Sequence, residues 1–323
     1  MKTQNAIQIQ TAAGIQTPAA ELAAGIQNNE RQAKRANTQT AYLSDACQFK
    51  NFATANGAAI KEYSQAAGVS LELAAVLAWA DELKKAGYKT ASIKRKVYAV
   101  KTAYNFTADE NGTIKNTLAG IANQIGTEQH QAAQLNYNAV LSVVLNLKTS
   151  GRVQDKRNGL LLFLAFVSGF RGSELVSLHE SAVKVDAKTI SFTASADDTK
   201  QHNTQCRAFS LSNFNGQLLA ELYAAYMAAK DSEPAANRKY LFCGCQYNKL
   251  TGNQLNRVDF CRLVKKTFGQ EFSAHSTRRG LVAFASDNKF SDSQIANFMG
   301  YKSAEMIKRY NVRNNALQNS LFQ

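Results

Sequence analysis

The chain has 323 residues, 45% of them hydrophobic and only two of them proline, a balance that suits a helix-rich globular protein and excludes a disordered one. Lys and Arg number 38 against 24 Asp and Glu, and the resulting formal charge of +14 points towards a polyanion such as nucleic acid. Five cysteines, odd in number and scattered at 47, 206, 243, 245 and 261, argue against a disulfide framework and for a reducing cytoplasm. The charge surplus is +5 up to residue 125 (14 against 9) and +9 beyond it (24 against 15). A basic surface spanning both halves is therefore expected rather than a basic tail. The length suits two domains.

Residues 1–36 are biased to Ala and Gln and offer few large apolar anchors, so a loosely ordered segment or a weak helix is expected there. The N-terminus carries one lysine and no apolar core, and no signal peptide is expected. From 37 to 125 the pattern is helical. "TQTAYLSDACQFKNFATANG" stops at Asn-Gly, and "SLELAAVLAWADELKKAGY" starts at Ser70 as its N-cap and stops at Gly87. "TASIKRKVYAVKTAYNF" and "TIKNTLAGIANQIG" follow. Four helices on short turns make a small bundle. In the third, Ile93, Val97, Val100 and Tyr104 share one face, and Lys94, Tyr98, Lys101 and Asn105 share the next. With Arg95, the lysines make a candidate DNA-contacting surface.

The polar, aperiodic stretch 126–134 reads as a linker, with a second domain over 135–323. Helices are expected at 136–148 and 155–169. The longest apolar run, "GLLLFLAFVSGF", is too short to cross a bilayer and reads as a buried helix, so no membrane association is expected. "TISFTAS" and "CRAFSLS" alternate around a polar stretch and predict a β-hairpin. Beyond it the chain is expected to be helical to its end. "NQLNRVDFCRLVKK" would place Gln254, Asn256 and Arg257, residue types that read bases, at a helix's first turn. Cys243, Cys245 and Cys261 lack a histidine at finger spacing, so no metal site is expected.

Four stretches of this second half each carry a residue suited to a phosphodiester. "SGFRGSEL" sets Arg171 at a Gly-flanked turn, with Glu174 three residues on. "DDTKQ" sets Lys200 in the hairpin bend. "HSTRRG" sets His275 and Arg278 one helical turn apart. "MGYKSAEMIKRYNV" sets Tyr301 ahead of Tyr310 on a short helix that Ser303 can cap.

In this order the residues resemble the tyrosine recombinase/integrase (phage integrase) family, whose pattern runs Arg-x-x-Glu/Asp, a hairpin Lys, His-x-x-Arg, His or Trp, and Tyr. The steps of 23 residues from Arg278 to Tyr301 and nine from Tyr301 to Tyr310 agree with it. The likeness covers roughly 38–323 and is to the compact two-domain, Cre/Xer-like members. It implies a mainly α fold: a SAM-like helical core-binding bundle, then an α+β catalytic domain with a small β-hairpin or sheet and a C-terminal exchange helix. It further implies site-specific cutting and rejoining of duplex DNA through a 3′-phosphotyrosyl intermediate, with no cofactor, by a homotetramer on synapsed sites that is monomeric or dimeric off DNA. On the same likeness Arg171 and Arg278 clamp the scissile phosphate, and His275 hydrogen-bonds it and helps take the tyrosine proton. Lys200 is the general acid, Tyr310 the nucleophile and Glu174 a brace. Arg279 is left to structure or to backbone contact. Tyr301 stands where the family has His or Trp; it could donate a hydrogen bond to the phosphate, pack on the nucleophile helix, or itself be the nucleophile, a reading the spacing disfavours. The alternatives are a recombinase-like DNA-binding protein with weak turnover and a type IB topoisomerase-like relaxing enzyme.

Overall fold

In the computed structural model the described residues are 9–10, 16–17, 36–127, 131–197, 203–234, 236, 238–301 and 303–308. Within 1–36, where a loosely ordered segment or a weak helix is expected, the described residues include two short antiparallel strands, β1 (Ile9–Gln10) and β2 (Gln16–Thr17). Both contain a β-branched residue, which favours a strand. The chain divides into two compact units, 1–130 and 131–323.

The first unit is a bundle of α1 (Ala36–Ala55), α2 (Gly57–Ala67), α3 (Leu71–Lys85), α4 (Thr90–Lys101) and α5 (Ala108–Ile125). Helix α2 was not expected. Asn56-Gly57 does not end the helical region but separates two helices, and the stop falls at Gly68 in the left-handed region (φ 63°). Ser70 caps α3, accepting from the Leu73 amide, and its hydroxyl donates to Glu110 in the capping box of α5. One apolar stripe from each helix meets at Phe49, Ile60, Trp79, Val97 and Leu118, with Phe49 edge-on to Trp79 at 5.2 Å.

The second unit begins with α6 (Tyr137–Lys148) and α7 (Val153–Ser168), which is buried along nearly its whole length. A five-residue helix α8 (Gly172–Val176) follows, then the antiparallel sheet of β3 (Val183–Val185), β4 (Thr189–Ala194) and β5 (Gln205–Ser210). The expected hairpin is β4–β5; β3 is an added edge strand. After α9 (Phe214–Asp231) the chain is not helical throughout, contrary to expectation. Strands β6 (Cys243–Gln246) and β7 (Lys249–Gln254) form a second hairpin. Its two-residue turn, Tyr247 and Asn248, has positive φ at both positions (51° and 59°), as a hairpin matching strand twist requires. Its strands are poor in β-branched residues, so composition hid them. Then come α10 (Arg257–Phe268), α11 (Ala274–Asp287), α12 (Asp292–Met299) and α13 (Glu305–Lys308). None of the described helices is long and apolar enough to cross a membrane.

Candidate active site

Helix α7 ends at Gly169 in the left-handed region (φ 63°), where a Cβ would meet Met299 Sδ at 2.7 Å and Leu281 Cδ2 at 2.9 Å. Glycine there lets the chain turn against α11 and α12. Two residues on, Arg171 precedes α8. Its backbone amide donates to Glu174 Oε2 (2.8 Å) and its Nη1 to Oε1 (2.7 Å). Glu174 is fully buried, so it holds Arg171 both by main chain and by side chain.

Helix α11 brings the second arginine. Ser273 caps it, accepting from the His275 amide and closing a capping box with Ser276. Arg278 is 1% exposed, the largest fully buried side chain among the described residues. Its Nη1 donates to the Gly169 carbonyl and its Nη2 to the Met299 carbonyl at 3.5 Å, and its Nε has no partner among the described residues. Its partners are carbonyl oxygens, not carboxylates. Both carbonyls belong to helix C-termini, where partial negative charge favours a cation without neutralising it. A guanidinium buried this way keeps its charge for an incoming anion.

A third arginine lies in the same place. Arg207 on β5 donates from Nε to the Ser168 carbonyl (3.1 Å) and from Nη2 to the Phe298 carbonyl, the neighbours in sequence of the two carbonyls that hold Arg278. The motif reading missed it. The signal was an arginine on the inward-facing register of a strand, between Gln205 and Phe209.

His275 stays open to solvent as a residue, yet packing around its ring disfavours the imidazolium, and Arg278, Arg279 and Arg171 add positive charge. Together they lower its pKa to about 4. A neutral imidazole can accept a proton. Tyr301 lies just beyond Gly300 (φ 65°), with the Arg278 guanidinium carbon 5.2 Å from its ring centroid. The structure therefore brings together Arg171, Glu174, His275, Arg278 and Tyr301. Ser303 accepts from the Glu305 amide at 3.1 Å, capping α13 as expected. Lys200, Tyr310 and the expected exchange helix lie outside the described residues. Buried Arg279 donates to Gln131, while the Leu135 amide donates to the Ser276 carbonyl (3.3 Å).

The expected DNA-contact residues are placed less uniformly. In the first unit Arg95 pairs with the buried carboxylate of Asp45, which also takes Lys96 at 3.0 Å. Lys94 is half-buried, and Lys101 ends α4 with its Nζ 5.6 Å from the Tyr98 ring centroid. In the second unit Gln254 is not in a helix's first turn but ends β7 opposite Cys243. Its amide donates to the Val176 carbonyl at 2.9 Å. Asn256 caps α10, accepting from Val258, and exposed Arg257 starts that helix beside the Arg171–Gly172 turn. Metal-ligating clusters are not found among the described residues.

Residues 134–316 match the model of the phage integrase family. The chain is 21% identical over 279 residues, 84% of its own length and 86% of the relative's, to tyrosine recombinase XerC of Syntrophus aciditrophicus (strain SB). Its fold is similar to that of the XerH site-specific recombinase bound to a palindromic difH substrate (TM-score 0.60, 13% identity, 93% of this chain and 94% of that one). It is similar too to the Tn1549 transposon integrase with transposon right end DNA (TM-score 0.57, 13% identity, 94% of each chain). A lambda integrase dimer bound to a COC′ core site gives a TM-score of 0.54 at 14% identity, over 91% of this chain and 95% of that one.

Proposed function

The chain belongs to the phage integrase family, and on that premise we propose that it is a site-specific tyrosine recombinase that cuts and rejoins duplex DNA. The observation that carries this reading is the buried Arg278 guanidinium, held by helix-end carbonyls with no carboxylate partner among the described residues. A phosphodiester is an anion whose nonbridging oxygens match such a fork.

Arg171, oriented by Glu174, and Arg278 contact the nonbridging oxygens of the scissile phosphate and stabilise the charge that builds there in the transition state. The Tyr310 hydroxyl attacks phosphorus, and its proton passes to neutral His275 or through it to solvent. The bond from phosphorus to the 5′ oxygen breaks, and Lys200 supplies the proton that leaves a 5′-hydroxyl. The 3′-phosphotyrosine retains the phosphodiester's energy, so religation by another 5′-hydroxyl needs neither metal nor nucleotide. Tyr301 acts through its ring, supporting Arg278. The boundaries that fit this reading are a core-binding domain over 37–125, a linker over 126–134 and a catalytic domain over 135–323. Lys94, Lys101, Asn256 and Arg257 are the side chains proposed to meet DNA. Four protomers acting on two synapsed sites, in the cytoplasm, complete the proposal. The likenesses are to recombinases and integrases, and neither the weak-turnover binder nor the relaxing enzyme is favoured.

The test is covalent trapping. A library of nicked duplexes with randomised arms is incubated with the protein, and denaturant-stable adducts are recovered and sequenced. A shared site among the trapped duplexes is expected. Tight DNA binding with no adduct would reject the enzymatic reading, and relaxation of plasmids lacking the trapped site would favour a topoisomerase.

A further inference from the structure

The two helix ends that hold Arg278 are each free to turn. Helix α7 passes into Gly169 (φ 63°) and α12 into Gly300 (φ 65°), both in the left-handed region that glycine enters at no steric cost. Arg278 itself grips the two ends unevenly. It donates to the Gly169 carbonyl, but its bond to the Met299 carbonyl, at 3.5 Å, is at the outer limit of a hydrogen bond. The firmer hold on α12 comes from Arg207.

Arg207 on β5 donates from Nε to the Ser168 carbonyl at 3.1 Å and from Nη2 to the Phe298 carbonyl, one residue before each of the two that Arg278 uses. Its Nη1 donates to the Cys206 carbonyl at 3.1 Å and its Nη2 also to Gln205 Oε1 at 3.4 Å, which ties the fork back to its own strand. Its central carbon lies 5.5 Å from the Phe170 ring centroid and 4.7 Å from that of Phe298. This placement is costly. Burial first, and then the charge of Arg278, work against the positive charge of Arg207, with Glu174 opposing them. A neutral side chain would fill the same space without repelling Arg278. A planar fork of five donors is what spans two helix ends and a strand at once.

We propose that Arg207 is a positioning residue for Arg278: by strapping the ends of α7 and α12 to β5, it fixes the spacing of the Gly169 and Met299 carbonyls and so aims the Arg278 guanidinium at the scissile phosphate. The proposal rests on the reading of Arg278 as a phosphate clamp, and the two can be tested apart. Replacing one nonbridging oxygen of that phosphate by methyl leaves a neutral methylphosphonate. The same bonds form and break: the nucleophile's oxygen joins phosphorus, and the 5′ oxygen leaves with its electron pair and takes up a proton. One negative charge is gone from the transition state, so the guanidinium that met it is no longer needed. A defect that acts only through that guanidinium is therefore repaired by the methyl group. A defect in the fold is not.

The experiment measures single-turnover release of the 5′-hydroxyl strand from the trapped duplex, with phosphate or either methylphosphonate epimer at the scissile position. Wild type, Arg278→Ala, Arg207→Gln and Arg207→Lys are used, and each variant is compared with wild type on the same substrate. On phosphate Arg278→Ala should be slower by about 10²-fold or more, the range for a lost oxyanion donor. Arg207→Gln should be slower by roughly 10- to 100-fold, the range for a catalytic group misplaced by up to 1 Å. On one epimer both should come within about threefold of wild type, since the charge that Arg278 meets is absent there. Arg207→Lys, which keeps the charge without the fork, should show a smaller defect with the same rescue. It carries the test if the glutamine variant loses DNA binding. If Arg278→Ala is rescued and the Arg207 variants stay slow on every substrate, Arg207 serves the fold alone and the proposal fails. It fails equally if Arg207→Gln cleaves phosphate as fast as wild type. If neither epimer rescues Arg278→Ala, the clamp reading of Arg278 is what fails.

Discussion

Arg207 and Arg278 share the same two helix ends, one residue out of step. Arg207 takes the carbonyls of Ser168 and Phe298, and Arg278 those of Gly169 and Met299. Two cations can sit side by side there because the C-termini of α7 and α12 converge on them with partial negative charge. Residue 278 must therefore be a fork as well as a cation. Arg278→Lys keeps the charge but loses the second arm, so the single-turnover cleavage rate should fall by about 10²-fold or more. A rate within threefold of wild type would show that charge alone suffices.

The nucleophile is tested by removing one atom. Tyr310→Phe should abolish the covalent adduct and leave DNA affinity almost unchanged, because only the attacking oxygen is lost. An adduct that survives in this variant and disappears in Tyr301→Phe would move the nucleophile to Tyr301.

Tyr301 presents its ring to Arg278. Tyr301→Phe keeps that ring and should cleave within about threefold of wild type, while Tyr301→Leu removes the cation–π contact. Such a contact is worth up to about 2 kcal/mol when desolvated, so Tyr301→Leu should be slower by roughly 10- to 30-fold. Equal losses in both variants would point to the hydroxyl instead.

With its pKa at about 4 in the free protein, His275 is neutral over the range where an ordinary histidine is half charged. The unfolded chain binds this proton more tightly. The group therefore costs stability as pH falls from about 6.5 towards 4, and the cost disappears above that window. A phosphate beside the ring has the opposite effect, favouring the imidazolium. Trapped-site DNA should thus raise the His275 pKa, and binding near pH 5 should take up a proton. Calorimetry in buffers of different ionisation enthalpy, with His275→Gln as reference, measures it. Identical uptake in the variant would assign the proton elsewhere.

Gly280 sits where α11 meets the segment before α6. A Cβ there would meet the Leu135 carbonyl oxygen at 2.2 Å and Phe166 Cε2 at 2.7 Å. Gly280→Ala should destabilise the protein by about 1–3 kcal/mol through overpacking, read as a lower denaturant midpoint. Since the same helix carries His275 and Arg278, cleavage should fall as well. An unchanged midpoint would mean that the segment can shift at no cost.

The sequence by itself determined the helices with strong apolar periods and clear caps, the β4–β5 hairpin with its strict alternation, and the motif order that identifies the family. These are local or ordered signals, and physics at the scale of a few residues is enough to read them. Helix α2 and the β6–β7 hairpin were not legible, because a glycine can start as well as stop an element and a strand poor in β-branched residues has no compositional mark. Least legible was the environment of the site. That Arg278 lies under helix-end carbonyls 109 and 21 positions away in sequence, that Arg207 joins it, and that Arg95 is engaged by Asp45, follow from which elements pack together. Only tertiary structure decides that, because a side chain's charge and burial are set by neighbours that no local pattern names.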